Sequence, residues 1–514
     1  MKHFAPKTSR MILSSLLLNV ALAGCAVGPD YQAPKTELAP FHNLAVVSAK
    51  AGTATPPLDQ WWAGFNDPML VAVVQRALAQ NLDLAAALAR VREARAVASG
   101  SGAQLLPTLD LGASATDEHQ SLRSPLGAIA QGSPGFTRNV RDYTVGPAAS
   151  WEIDLFGGLR RGAAASRDEA QAAEADHAGT RVTVAADAAD AYLQIRGYQA
   201  RLAVAQDQID TDDHLLRLVR DRYNAGAATG REIAQADALL KQARTSIPPL
   251  RIGLEQQLNR LDVLMGVQPG TYAGELGAVS AIPSVPVVPG NDQPVDMLRR
   301  RPDIIAAERR LAASNERIGA AISDYYPKVS LSGALGFDSL SGHLLTSGAF
   351  QAVGGGALRW RIFDFGKIDA EVAQAKGANA ESLAIYRQAV LHAAEDVENS
   401  MMSLSQTQVR VDEIQDQVQA LVKARDLSEQ AYRAGSITLT DVLDADSQLL
   451  TARDELDSNR AGAARAAVGV FRALGGGWVP ATASMDPIVK SVAVGSESQD
   501  TTPSAGLRSQ STPD

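Results

Sequence analysis

The chain has 514 residues, 20% of them charged and only 5% aromatic, with a formal net charge of −9. An acidic balance lacks the basic footprint that nucleic-acid binding needs, and a single cysteine excludes any disulfide within the chain. Beyond residue 24 no apolar run reaches the roughly 18 residues of a membrane-spanning helix, whereas a crossing by strands stays open.

The chain begins with an address. Lys2, Lys7 and Arg10 precede an apolar stretch, Met11 to Ala23, and the processing pattern Leu22-Ala-Gly-Cys25. This resembles a bacterial lipoprotein signal, which implies removal of residues 1–24 and acylation of Cys25. Cleavage removes three cations and no acid, leaving a charge of about −12. Ala26 follows the cysteine, where an Asp would resemble an inner-membrane retention signal. Several acyl chains on one residue anchor stably where one chain does not.

Residues 25–66 form the acylated lead segment, rich in Pro, Ala and Thr over 26–60 and becoming ordered at Trp61-Trp62. Residues 67–104 read as two helices broken near Asn81-Leu82-Asp83. A segment from 108 to 116 then alternates, with Leu109, Leu111, Ala113 and Ala115 opposing Thr108, Asp110, Ser114 and Thr116. A second, 143–155, sets Tyr143, Val145, Trp151 and Ile153 against Thr144, Ser150, Glu152 and Asp154. The connection 117–142 is rich in Gly and Ser.

From Gly158 to Tyr223 there is no proline, and 66 helical residues span about 100 Å. Ile195, Leu202, Ile209, Leu216 and Tyr223 recur every seventh residue, which requires a partner helix. Abundant alanine implies close, shallow packing. A return helix is expected over about 231–265, interrupted at Pro248-Pro249.

After a linker, 271–293, the layout starts again. Residues 294–326 repeat the broken helices around Arg301-Pro302-Asp303, and strands are expected at 328–337 and from Phe350 to Ile362. A second long helix keeps the heptad phase through Leu404, Val411, Val418 and Tyr432, and returns over 441–473. Residues 479–514, rich in Ser, Thr and Pro, read as a disordered tail.

The two halves, 67–270 and 294–478, are copies. Trp151, Ile153, Phe156 and Gly157 recur 209 residues later as Trp360, Ile362, Phe365 and Gly366. At the same offset Tyr223-Asn-Ala-Gly226 recurs as Tyr432-Arg-Ala-Gly435, and Ala236, Asp237, Ala243 and Arg244 as Ala445, Asp446, Ala452 and Arg453. Four strands with one apolar and one polar face fit either a half-buried sheet on a helical stalk or part of a lipid-facing barrel. Four strands cannot close a barrel, and open edges are not tolerated in lipid. A barrel therefore needs several chains: two for a packed one, three for twelve strands around an open bore, with twelve long helices below.

The sequence resembles the outer-membrane efflux lipoproteins, the TolC-, OprM- and NodT-like outer channels of tripartite pumps. The resemblance rests on Cys25-Ala-Val-Gly-Pro-Asp-Tyr31, Trp151-Glu-Ile-Asp-Leu-Phe-Gly157, Leu298-Arg-Arg-Arg-Pro-Asp303 with Ala307-Glu308-Arg309, and the two Tyr-x-x-Gly turns. It covers roughly residues 25–478 in order and spacing. It implies a mainly α chain with a β-barrel portion: a homotrimer with a twelve-stranded barrel in the outer membrane and an α-helical tunnel through the periplasm. It also implies two partners, a periplasmic adaptor (membrane fusion protein) and an energised inner-membrane transporter of the RND type. Small-molecule efflux is the expected function. Type I protein secretion uses the same architecture, and a non-conducting envelope-spanning lipoprotein is the reading from another class.

By this resemblance the helical tips close the channel and receive the adaptor. Tyr223, Gly226 and Glu232 mark the first tip, Tyr432 and Gly435 the second. Asp441 and Asp444 match by spacing the acidic rings at the family's entrance constriction, and three copies would gather six carboxylates there. Thr438-x-x-Asp441 and Thr229-x-x-Glu232 also have capping-box spacing, which stabilises a helix start without any gate. Gly226 and Gly435 suit left-handed helix ends. Ile437 stands where some relatives carry a basic residue that ties the closed tip.

No catalytic or metal constellation is visible. The seven histidines are scattered, and Gly354-Gly-Gly356 and Gly475-Gly-Gly477 lack the lysine and hydroxyl of a phosphate loop. No cofactor is expected beyond the lipid on Cys25. Paired acids such as Asp212-Asp213 read as solvated helix faces.

Overall fold

A computed structural model of the chain describes residues 26–35, 39–43, 56–288 and 298–479. Cys25, the address before it and the tail from 480 onward lie outside these residues. A short 3-10 helix, Leu58–Phe65, leads into α1 (Pro68–Gln80) and α2 (Leu82–Ala103). Asp67 caps α1 by accepting from the Met69 and Leu70 N–H groups at 2.8 and 3.2 Å, and Pro68, at the first helical position, has no N–H to leave unsatisfied. Asn81 makes the expected break: its Oδ1 accepts from the Leu84 N–H at 2.9 Å and caps α2. Its Nδ2 meanwhile donates to the Leu264 carbonyl, tying the junction to a distant helix.

The strands are β1 (Thr108–His119), β2 (Asn139–Ile153), β3 (Lys328–Ser339) and β4 (Phe350–Arg359), and they form one antiparallel sheet in chain order. Their register keeps the apolar faces together, as in Val145 opposite Phe337 and Trp151 opposite Leu331. The first hairpin is longer than the alternation predicts, and its loop contains a one-turn helix, α3 (Pro125–Ala130), capped by Ser124. So short an element has no periodic pattern to betray it. Conversely, β4 stops at Arg359, although its alternation continues to Ile362. Arg359 pairs with Lys328, the first residue of β3, so Trp360 and Ile362 have no strand beside them within the chain.

Each hairpin feeds a 67-residue helix, α4 (Gly158–Asn224) and, in the second half, α9 (Lys367–Arg433). Both start at a left-handed glycine, Gly157 and Gly366. α4 returns as α5 (Gly230–Thr245) and α6 (Ile247–Leu264), broken at Ser246 just before the two prolines. A short α7 (Ala273–Leu276) lies in the linker, and α8 (Pro302–Ser323) follows the Arg301-Pro302-Asp303 break. The final helix, α10 (Leu439–Ala473), returns from α9.

The core gathers around the middle of α4, where Ala185, Ala188, Tyr192, Leu193 and Ile195 are fully buried. Trp61 and Phe65 from the lead, Leu70 and Val74 of α1, Leu261 of α6 and Phe471 of α10 close over it. Trp61 stacks on Phe471 with centroids 5.2 Å apart and planes 7° from parallel. Alanine does let helices approach closely. A Cβ at Gly197 of α4 would stand 2.7 Å from the Ala461 Cβ of α10. Ion pairs pin the same two helices along their length: Arg201–Asp454 at 2.8 Å, Arg453–Asp207 at 3.2 Å and Arg465–Asp190 at 2.6 Å.

Candidate functional site: the paired helical tips

At the end remote from the sheet, α4 turns into α5 and α9 into α10. The two turns have the same construction. Gly226 and Gly435 each adopt φ of +77°, the left-handed value that a Cβ disfavours. In the first turn the Gly226 N–H donates to the Tyr223 carbonyl and the Ala227 N–H to the Arg222 carbonyl; in the second, Gly435 donates to Tyr432 and Ser436 to Ala431. These are paired Schellman bonds, which satisfy carbonyls that a helix end otherwise leaves open.

The outgoing helices start with capping boxes. Thr229 donates from its backbone N–H to the Glu232 carboxylate at 2.6 Å, and Thr438 likewise to Asp441 at 2.9 Å. Backbone and hydroxyl donation from Thr229 holds Glu232 below the usual carboxylate range. The Thr438 hydroxyl and then its N–H do the same for Asp441. Asp444, one turn further on, is exposed and accepts from Gln448 at 3.0 Å. Asp441 and Asp444 thus stand near each other on the start of α10, only the first of them engaged in a cap.

The two tyrosines part company. Tyr223 is exposed, whereas Tyr432 is buried in a second apolar cluster with Leu216, Val219, Leu240, Leu439 and Val442. Ile437 packs against that cluster. A cation arrives from the other tip. Arg222 donates to the Tyr432 carbonyl and lies over its ring, 4.4 Å from the centroid. Burial, reinforced by Glu232, raises the Tyr432 pKa. Arg222 was missed in the sequence because its counterpart at the 209-residue offset is Ala431, so the repeat draws no attention to it.

Above the tips lies a buried charge cluster, and it corrects the reading of Asp212 as solvated. Only Asp213 fits that reading, half-buried and paired with Arg217. Asp212 is 1% exposed, as is Asp446 of α10. Asp446 accepts from Arg425 of α9 at 3.0 Å, and Asp212 accepts from Gln208 at 2.7 Å. The second oxygen of each acid has no hydrogen-bond donor among the described residues. Burial, opposed by Gln208 and reinforced by Asp446, pushes the Asp212 pKa up to about 6. The Asp-Asp pair signals surface by composition; only the packing of three helices decides which member turns inward.

Comparisons with known proteins agree with this architecture. The model of the outer membrane efflux protein family matches residues 73–267 and 294–476, one segment in each half. This chain belongs to that family. It is 33% identical to the pyoverdine export outer membrane protein OpmQ of Pseudomonas aeruginosa, over 82% of this chain and 87% of that one. It is 29% identical to nodulation protein T of Rhizobium leguminosarum bv. trifolii, over 84% and 90%. Among solved structures, the outer-membrane channel OprN superposes with a TM-score of 0.81 at 33% identity, covering 89% of this chain and all of that one. The open state of the MtrE channel of Neisseria gonorrhoeae gives 0.74 at 26% identity, over 88% and 98%. The fold is therefore that of the family's channels, an α-barrel tunnel joined to a β-barrel portion. The protein is an outer-membrane efflux channel component and, like its family, not an enzyme. No described helix is long and apolar enough to cross a membrane.

Proposed function

We propose that three copies of this chain form a passive exit duct, conducting small molecules such as drugs or other toxic compounds across the outer membrane. The carrying observation is a four-stranded amphipathic sheet left open at both edges, with Leu109 and Leu111 exposed on one face and Asp110 on the other. Such a sheet is tolerated in lipid only if further copies complete it. Twelve strands then enclose a water-lined bore, continued below by α4, α9 and their return helices.

A duct of this kind has no energy source of its own. The tips are where a periplasmic adaptor and an inner-membrane transporter of the RND type engage it, through the turns at Tyr223, Gly226, Glu232, Tyr432 and Gly435. Asp441 and Asp444, repeated by symmetry, ring the entrance with negative charge and favour cations there. Acyl chains on Cys25 anchor the lead in the outer membrane. In support, the Val27 N–H donates to the Phe156 carbonyl at 3.0 Å, just past β2, and Asp30 pairs with Arg161 at the start of α4. The described part of the lead thus starts beside the junction of sheet and helix.

Planar-bilayer conductance of the purified protein tests the duct. Ion current is expected, larger when Asp441 and Asp444 are both changed to alanine. No current from either form sinks the proposal. The anchor is tested separately: Cys25→Ser should abolish acyl labelling, and normal labelling of that variant would refute it.

A further inference from the structure

The polar face of the sheet carries its cations at one place. Across β1 to β4 that face holds the acids Asp110, Glu118, Asp142, Glu152 and Asp338, and only two bases, Lys328 and Arg359. These two are directly opposite each other, the first residue of β3 against the last of β4. Side chains so paired stand about 4.5–5.5 Å apart at Cβ, and like charges there destabilise a sheet. Arg361 follows two positions on. With Asp324 and Tyr326, the three cations line a cavity of about 240 Å³ between the end of α8 and the sheet.

One carboxylate serves this cavity. Asp324 pairs with Lys328 at 2.8 Å and with Arg361 at 3.2 Å, which leaves the exposed Arg359 without a carboxylate among the described residues. Glu371 stands 4.0 Å from Arg361 and is shared with Lys367, while Glu152 lies on the far side of β3, opposite Ser330. The repeat shows that the strand start needs no such charge. Thr108 opens β1 as Lys328 opens β3, and its partner Ser150 precedes Arg359 by 209 residues. Matching indole bonds, Trp151 to the Leu105 carbonyl and Trp360 to the Tyr325 carbonyl, both at 2.9 Å, establish the equivalence. In the first half the two hydroxyls simply hydrogen-bond at 2.9 Å. The second half has a repulsive pair in their place, which an anion lying between the two cations would compensate.

We propose that Lys328, Arg359 and Arg361 hold an oxyanion, the carboxylate or phosphate group of a transported molecule, at the helix-side mouth of the bore. This rests on the duct reading above, which turns the polar face inward, and it names the class of group that the wall engages. Side chains on this face point away from the exposed Leu358 and Trp360, so an anion in the bore reaches them and a lipid headgroup on the apolar side does not. The Arg359 guanidinium offers paired planar donors to an oxyanion, and Lys328 a mobile point charge. Acids elsewhere on the face, Asp110 and Glu152 among them, keep the hold loose enough for onward passage.

Planar-bilayer current through the full chain in phosphatidylcholine tests the site, with inorganic phosphate replacing chloride at fixed low ionic strength. After correction for bulk conductivity, phosphate should cut the current about twofold. The effect should be several-fold smaller for Lys328→Thr/Arg359→Ser, which installs the neutral pair of the first half and so keeps the strand start intact. Arg359→Gln should lose part of the effect, and it decides the matter if the double variant does not insert. Adding phosphatidylglycerol to the membrane should change none of these results. No phosphate effect, or equal inhibition of parent and variants, overturns the oxyanion site and leaves the duct standing. Loss of the effect in phosphatidylglycerol membranes assigns the cations to a lipid headgroup and overturns the cargo reading. A protein that conducts nothing in either membrane overturns both site and duct.

Discussion

The Arg222 guanidinium at the end of α4 lies over the Tyr432 ring at the end of α9 and donates to that residue's carbonyl, joining the two helical tips of one chain. This contact competes for a carbonyl near a helix end, where acceptors are otherwise left to water. A charge-assisted hydrogen bond is worth about 1.5–3 kcal/mol and a partly exposed cation–π contact about 0.5–1 kcal/mol. Arg222→Ala should therefore loosen the joint rather than unfold the molecule. Hydrogen exchange should quicken around 219–226 and 432–439 while the core at 185–195 stays protected. Arg222→Lys should recover part of the protection, since an ammonium still donates but cannot lie flat on the ring.

The buried Asp212 makes the region above the tips pH-dependent. Its folded pKa of about 6 lies above the unfolded value of about 3.9, so the folded state holds the extra proton between them. Stability from this group is thus fully present in acid and is lost as pH rises from about 4 to about 6, by at most about 3 kcal/mol. Asp212→Asn removes the titrating group and keeps the acceptor for Gln208. The difference in melting temperature between Asp212→Asn and the parent should be small near pH 4 and favour the variant above pH 6. An equal difference at both ends would contradict the burial argument.

Asp441 and Asp444 are distinguishable by their bonds. Asp441 closes a capping box with Thr438, whereas Asp444, outside that box, accepts from Gln448. Asp441→Ala should lower stability at the start of α10, because the Thr438 N–H and hydroxyl lose their acceptor. Asp444→Ala should leave that stability unchanged. Both should lower cation preference, read as a shifted reversal potential under a salt gradient. A shift from Asp441→Ala alone, with none from Asp444→Ala, would show that the exposed acid does not face the bore.

The ladder between α4 and α10 was only half visible beforehand. Heptad spacing demanded a partner for α4, and alanine content foretold a close approach, realised at Gly197 against Ala461. Nothing in that spacing named α10 rather than the sequential partner α5 as the helix carrying Asp454 and Arg453. Likewise, alternation announced four strands but overran the end of β4, because a strand needs a neighbour as well as a pattern.

What the sequence determined by itself is everything local or periodic: the duplication, the four strands, the two long helices, the glycine turns and the capping boxes. These follow from side-chain spacing and backbone conformational limits, which act within a few residues. Tertiary structure alone decided the inward turn of Asp212, the burial of Tyr432 but not Tyr223, and the reach of Arg222 across 210 residues to its partner. Those depend on which helices lie side by side, and burial or pairing between remote segments leaves no signature in the order of residues.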